Sequence, residues 1–180
     1  MAVPKEDMIY DGDDVDWYGV GKYNATSGLN GHQTANEQTI SDTGPIPEGT
    51  YSFSLKIAGT ARVVNVARNQ LDANQGIQSL DAMPGPDGKF YEAPNWGKNR
   101  VRLNALYVAN PKARHRGGFY LHDSTKGFTH GCVEVEPRFF TRLREYAKDE
   151  GAKKRGRRWL IVKVKYPSSA ASTYGGTKAP

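Results

Sequence analysis

A histidine, His122, closes an apolar run, and ten residues later His130-Gly131 leads directly into the chain's only cysteine, Cys132. Sulfur attacks a carbonyl carbon as the thiolate, and a free thiol titrates near pH ~8.5, so a neighbouring group must take or hold its proton. A thiol nucleophile also needs a backbone bend that exposes the sulfur. His122 meets the first need, because the end of a strand holds a side chain rigidly. Gly131 meets the second, since a residue without a side chain permits an unusual torsion or close substrate approach. Residues 117–135 therefore read as the active site of a cysteine acyltransferase or peptidase. His130 either donates to substrate or intermediate or shapes the loop. Asp123, Ser124 and Thr129 can orient a histidine or satisfy backbone groups. The amides near Gly131 and Cys132 are candidates for holding an oxyanion. His115, His122, His130 and Cys132 are chemically suited to zinc. Their spacing follows no common structural zinc pattern, so neither a metal nor another cofactor is expected.

The elements that must hold these residues fit one domain, because 180 residues suffice for a single packed core. Twenty glycines and ten prolines demand many turns and favour sheet over a helix bundle. Residues 8–35 alternate aromatics with Gly, Asp and Asn, which predicts short strands and tight turns. In Gly44-Pro45-Ile46-Pro47-Glu48-Gly49-Thr50-Tyr51, two prolines restrict the backbone between glycines that allow sharp turns. Residues 51–57 predict a strand with Tyr51, Phe53, Leu55 and Ile57 on one side. Residues 61–67 predict another.

The stretch 69–98 lacks periodicity and reads as a long insertion that frames a groove or hides strands. Residues 101–109 and 117–122 predict strands joined by 111–116. Beyond the cysteine the period changes. Pro137 suits a first helical turn; Phe139, Phe140, Leu143, Tyr146 and Ala147 recur at helical spacing, and Gly151 suits a stop. Residues 159–166 form an amphipathic closing strand. The expected fold is mostly β, a β-rich α+β domain over residues 1–166 with one substantial helix after the nucleophile, followed by a flexible tail at 167–180.

The formal charge is +6, with a late cluster of Lys148, Lys153, Lys154, Arg155, Arg157 and Arg158. No zinc-finger spacing, RNA-binding aromatic signature or glycine-rich phosphate loop accompanies it, so it reads as a solvated helix end and no nucleic-acid partner is expected. No stretch approaches the ~20 apolar residues of a membrane span, so the chain is not expected to be membrane-embedded. Residues 1–17 are acidic and polar, and no classical export signal is expected.

Thr129-His130-Gly131-Cys132-Val133, with His122 upstream, resembles the signature of the bacterial L,D-transpeptidase catalytic domain. That signature is a histidine, a spacer, then Ser-His/Arg-Gly-Cys, an aliphatic residue and commonly arginine. The ten-residue interval and the segment 44–51 are similar to one branch, the L,D-transpeptidase-like antibacterial effectors delivered by type VI secretion. The aromatic opening and Ala25-Thr26-Ser27-Gly28 extend the likeness over most of residues 8–166.

The resemblance implies a β-rich fold around the cysteine and action on the tetrapeptide stems of peptidoglycan. It implies that Cys132 attacks the carbonyl between the L-centre of meso-diaminopimelate and the terminal D-alanine, with His122 as base and then acid. Water resolving the acyl-enzyme would give L,D-carboxypeptidase action, a free D-amino acid exchange, and another stem a 3-3 cross-link. It further implies a cognate immunity protein, type VI secretion components, and delivery from the cytoplasm of the producer to the periplasm of the target cell. Three positions depart from the pattern: Thr129 keeps a hydroxyl in place of serine, Asp123 replaces a frequent glycine, and Glu134 reverses the charge of the usual arginine. A compensating cation is then required, for which Arg114 and Arg116 are candidates. With Tyr120 and Glu134 they form the expected substrate contacts. The competing readings are another cysteine peptidase or amidase, and a catalytically silent cell-wall-binding module.

Overall fold

A computed structural model describes residues 2–153 and 156–180. In chain order the elements are β1 (Met8–Tyr10), β2 (Asp14–Trp17), β3 (Gly21–Ser27), β4 (Gly49–Ser54), β5 (Ile57–Thr60), β6 (Val63–Asn65), β7 (Gln70–Leu71) and β8 (Ile77–Ser79). There follow β9 (Met83–Pro84), β10 (Phe90–Tyr91), β11 (Asn99–Arg102), β12 (Asn104–Val108), β13 (Tyr120–His122), β14 (Val133–Val135), α1 (Arg138–Ala152) and β15 (Trp159–Val164). Eleven strands form one sheet in the order β12-β4-β15-β1-β2-β3-β14-β13-β11-β8-β5, and β6–β7 and β9–β10 pair separately. The fold is mixed α+β, mostly sheet, with one substantial helix.

Two connections bend this sheet. Only Leu55 and Lys56 separate β4 from β5, and only Leu103 separates β11 from β12, yet each pair lies near opposite ends of the strand order. A chain spans at most ~3.6 Å per residue. The two ends must therefore lie side by side, and the sheet curls over an interior filled by Tyr10, Tyr51, Phe53, Leu121, Val133 and Val162. Helix α1 closes another side with Phe139, Phe140, Leu143 and Ala147. Phe139 meets Trp17 at 5.8 Å and Tyr23 edge-on at 5.3 Å. Full burial of each such ring is worth ~1.5–3 kcal/mol, which is why the helical stripe can fix the position of α1.

The strand expected over 51–57 ends at Ser54, whose Oγ accepts from the Lys56 N–H at 3.1 Å and turns the chain, so Ile57 starts a new strand and is exposed. The strand expected over 101–109 is likewise two, divided at Leu103: up to that residue the chain pairs with β13, the Leu103 N–H still bonding the Phe119 carbonyl at 2.9 Å, and from Asn104 it pairs with β4. The stretch 69–98 holds four short strands. Leu80 and Met83 join Ala61 and Val63 in a second small core, against which Trp96 packs. Tyr146 is only partly buried, and Gly151 lies inside α1, which is capped by Lys153. Of the basic cluster, Lys153 pairs with Glu150 and Arg157 with Asp7, while Lys154 and Arg155 lie outside the described residues. No described helix is long and apolar enough to cross a membrane.

Residues 167–180 do not form the loose tail expected from their composition. Thr173 is fully buried, its amide bonding the Gln33 carbonyl, its carbonyl the Ser27 amide and its hydroxyl the Ser27 carbonyl. Ala171 accepts from the Ala35 amide, and the Gly175 amide donates to Thr26 Oγ1 at 3.0 Å. Gly175 is wedged so closely that a Cβ there would lie 1.9 Å from the Asp13 carbonyl oxygen. Small polar residues look mobile in sequence, but here their size lets the chain thread a narrow groove. At about 1 kcal/mol per bond, these contacts make up a large part of an ordinary domain's stability. Truncation after Tyr166 is expected to lower the unfolding free energy by about 5 kcal/mol in urea denaturation, at that same worth per bond; an unchanged midpoint would show the segment to be dispensable.

Candidate active site

The parallel pairing of β13 with β14 sets the site. Leu121 lies opposite Val133 and His122 opposite Glu134, while the antiparallel neighbours place Arg100 beside His122 and Thr26 beside Glu134. Gln78 stands opposite Arg100 on the next strand. Residues directly opposite one another share a face, and alternate residues of a strand return to it. Gln78, Arg100, His122, Glu134 and Thr26 thus form one row across five strands, and all five are buried. Leu121, Val133, Val135 and Val101 occupy the opposite, apolar face in the core. Cys132, two residues before Glu134, continues the polar face. The nucleophile and base read from the sequence, Cys132 just before β14 and His122 at the end of β13, both line one cleft of about 410 Å³.

The cysteine loop is held from three directions. The Cys132 carbonyl accepts from Thr129 Oγ1 at 2.6 Å and from Ser27 Oγ at 2.7 Å. Ser27 Oγ also accepts from the Ile46 amide at 2.8 Å, so the segments 25–28 and 44–47 meet behind the sulfur. Arg116 is buried and donates to the carbonyls of Gln38, Gly44 and Pro45. Gly131 has φ +99°, and a Cβ there would sit 2.5 Å from Arg116 Nη2; glycine is required on both counts. The Gly131 amide is engaged by Thr129 Oγ1 at 3.2 Å, which leaves the Cys132 amide as the oxyanion candidate of the two beside the sulfur.

His122 packs edge-on against Trp96, ring centroids 5.3 Å apart, and its Nδ1 lies 3.1 Å from Ser124 Oγ. Ser124 Oγ also bonds Glu134 Oε2. Glu134 is wholly buried and accepts in addition from the amides of Lys126 (3.0 Å) and Gly127 (2.8 Å) and from the Thr177 hydroxyl. It serves as the hub beneath His122, and the expectation of a direct substrate contact at Glu134 is corrected by that burial. Asp123 binds the amides of Lys98 and Asn99 at 2.7 Å each and Asn99 Nδ2 at 2.8 Å, fixing the loop that carries Trp96. Of the two candidate orienters, Ser124 meets the histidine and Asp123 serves the backbone.

His130 is exposed on the far lip, its Nδ1–H donating to the Asp42 carbonyl at 3.1 Å, and it lines the same cleft. His115 bonds Ser41 Oγ at 3.0 Å, and no group of three or more His, Cys, Asp or Glu side chains gathers around a common point among the described residues. Arg114 is exposed, with Nε 3.4 Å from the Val108 carbonyl, and does not line the cleft. Tyr120 is buried in a stack: Arg100 lies 4.5 Å over its ring and 5.0 Å over Trp96. Trp96, Lys126, Phe128, Gly117 and Gly118 also line the cleft; the last four lie in the stretch 117–135 without having been singled out, and Trp96 lies outside it. Trp96 sits in the aperiodic stretch, where no spacing signal marks it. Arg100 and Arg102 alternate with the core residues Val101 and Leu103, a pattern shared by any solvated strand face.

Burial pushes the Cys132 thiol up to about 11, offset in part by the Tyr120 amide and by Arg100, Arg116 and Lys126. Burial lowers His122 to about 3, and the Lys126 and Arg100 charges push the same way against the Trp96 carbonyl. At neutral pH the resting pair is a thiol and a neutral imidazole. Neither a scan against protein-family models nor a search of curated proteins finds a match to this chain.

Two pH limbs follow. Between about pH 6.5 and 3 the unfolded chain binds a proton that folded His122 refuses, so stability is intact above pH 6.5 and falls as pH drops through that window. Folded Cys132 keeps its proton past the ordinary thiol value of 9.0, so its contribution is intact below pH 9 and declines as pH rises towards 11. Denaturant titrations from about pH 4 to 10 should show a shallower acid limb in His122→Gln and a shallower alkaline limb in Cys132→Ala. Curves parallel to wild type in both variants would refute these protonation states.

Proposed function

We propose that the chain is a cysteine acyltransferase of the L,D-transpeptidase type that acts on peptidoglycan tetrapeptide stems, as an L,D-carboxypeptidase and exchange enzyme. The observation that carries this reading is that Cys132, immediately before β14, and His122, at the end of the parallel neighbour β13, line one cleft. Neutral His122 takes the thiol proton as Sγ bonds to the carbonyl carbon between diaminopimelate and the terminal D-alanine. The Cys132 amide receives the developing oxyanion, with the Arg116 guanidinium behind Gly131 adding positive field. Collapse breaks the C–N bond, and His122 returns its proton to the departing amine. Water, or the amine of a free D-amino acid, then resolves the thioester.

A stem ending in D-alanine carries a carboxylate. Arg100, Arg116 and Lys126, whose charges act on the sulfur, favour such an anionic substrate and fill the part left by Glu134 at the usual arginine position. In this reading the protein is an antibacterial effector that trims stems in the periplasm of a target cell after type VI secretion, and a cognate immunity protein protects the producer.

The test is mass spectrometry of purified tetrapeptide muropeptides, with and without an added D-amino acid. Wild type should remove D-alanine or replace it with the added residue. Cys132→Ala should do neither, and His122→Ala should fall by roughly 10²–10⁴-fold, the usual worth of a general base. Unchanged stems with folded wild-type protein would overturn the substrate assignment.

A further inference from the structure

The hydrogen bonds around Glu134 admit a count of protons. An ionised carboxylate only accepts, so each of its four neighbours must donate: the amides of Lys126 and Gly127, and the hydroxyls of Ser124 and Thr177. A hydroxyl has a single proton. Thr177, having given its own to Glu134, must accept from Thr26 Oγ1 at 2.9 Å, and Thr26 in turn accepts from the Gly175 amide. Ser124, having given its own to the same carboxylate, must accept from His122 Nδ1 at 3.1 Å. One assignment gives every bond in this chain of contacts a donor and an acceptor, and it runs from the C-terminal segment to the imidazole.

We infer that Glu134 and Ser124 are positioning residues that hold His122 as its Nδ1–H tautomer, with Thr177 of the C-terminal segment completing the carboxylate's shell. Nε2 is then the ring's one lone pair, and it is the nitrogen that takes the Cys132 proton. The competing tautomer, protonated on Nε2 alone, needs Ser124 to turn its proton from Glu134 to Nδ1. That leaves a buried carboxylate one donor short. The carboxylate therefore selects the tautomer through a hydroxyl, without touching the ring, because an unmet buried acceptor is the more costly outcome. The inference rests on the cysteine-enzyme reading for its purpose, but its geometry does not depend on the substrate.

Long-range ¹H–¹⁵N NMR of histidine-labelled protein tells the protonated ring nitrogen from the unprotonated one. With four histidines in the chain, substituting His32, His115 and His130 singly leaves His122 assigned. The expected wild-type spectrum at about pH 7 has His122 protonated on Nδ1 alone. Ser124→Ala should lose that preference and slow alkylation of Cys132 at neutral pH by roughly tenfold or more, whereas Ser124→Thr, which keeps a hydroxyl, should retain both. A wild-type ring protonated on Nε2, or an unchanged ring in folded Ser124→Ala, would overturn the inference. The expected tautomer in a protein that leaves muropeptides unaltered would uphold the relay and reject the substrate reading.

Discussion

A carboxylate with no access to water is the constraint around which this molecule is arranged. Glu134 sits on a central strand and must find donors from elsewhere in the chain, because a buried charge without partners is too costly for a domain of ordinary stability. Two stretches of chain answer. The turn after His122 supplies Ser124, its continuation supplies two amides, and the C-terminal segment crosses the sheet to supply Thr177. The loop between His122 and Cys132 is thereby fixed at its middle, although it has no secondary structure of its own. Fixing that loop fixes the approach of the chain to Cys132.

The polar row has an opposite electrical character on its two sides of His122. Glu134 lies on one side and Arg100 on the other, with Arg100 held by Gln78 Oε1, by the Asp72 carbonyl and between two aromatic rings. Arg100, Arg116 and Lys126 act together on the sulfur, opposing the burial that keeps it protonated. A neutral thiol and neutral imidazole suit attack with concerted proton transfer. They do not suit a standing ion pair. In the proposed reaction the cations would count most when negative charge develops on sulfur or carbonyl oxygen, a contribution to the transition state more than to the resting protein.

Much of the candidate site is legible in the sequence because its residues are close together along the chain. Cys132, His122, Gly131 and Thr129 fall within one short stretch, and residue type alone suggests their roles. The helix after Pro137 was legible from its helical period, apart from an end that ran past Gly151. What stayed hidden depends on register. A one-residue strand break at Leu103 sends β11 and β12 to different parts of the sheet, and no periodicity reports it. Glu134 looked like a charge reversal facing substrate, since alternation tells which face a residue occupies but not whether that face is covered. The covering segment is a run of small polar residues whose composition suggests mobility; only its contacts with Thr26, Ser27 and Glu134 reveal its place.

The central claim is that the buried carboxylate acts on the nucleophile through His122. A double-mutant cycle on the rate of Cys132 alkylation at neutral pH, combining Glu134→Gln with His122→Ala, tests it most directly. The account predicts strong coupling: Glu134→Gln slows alkylation when His122 is present and has almost no effect once the imidazole is gone. Additive effects in folded variants would contradict it, leaving Glu134 as a purely structural hub with no part in setting up the base.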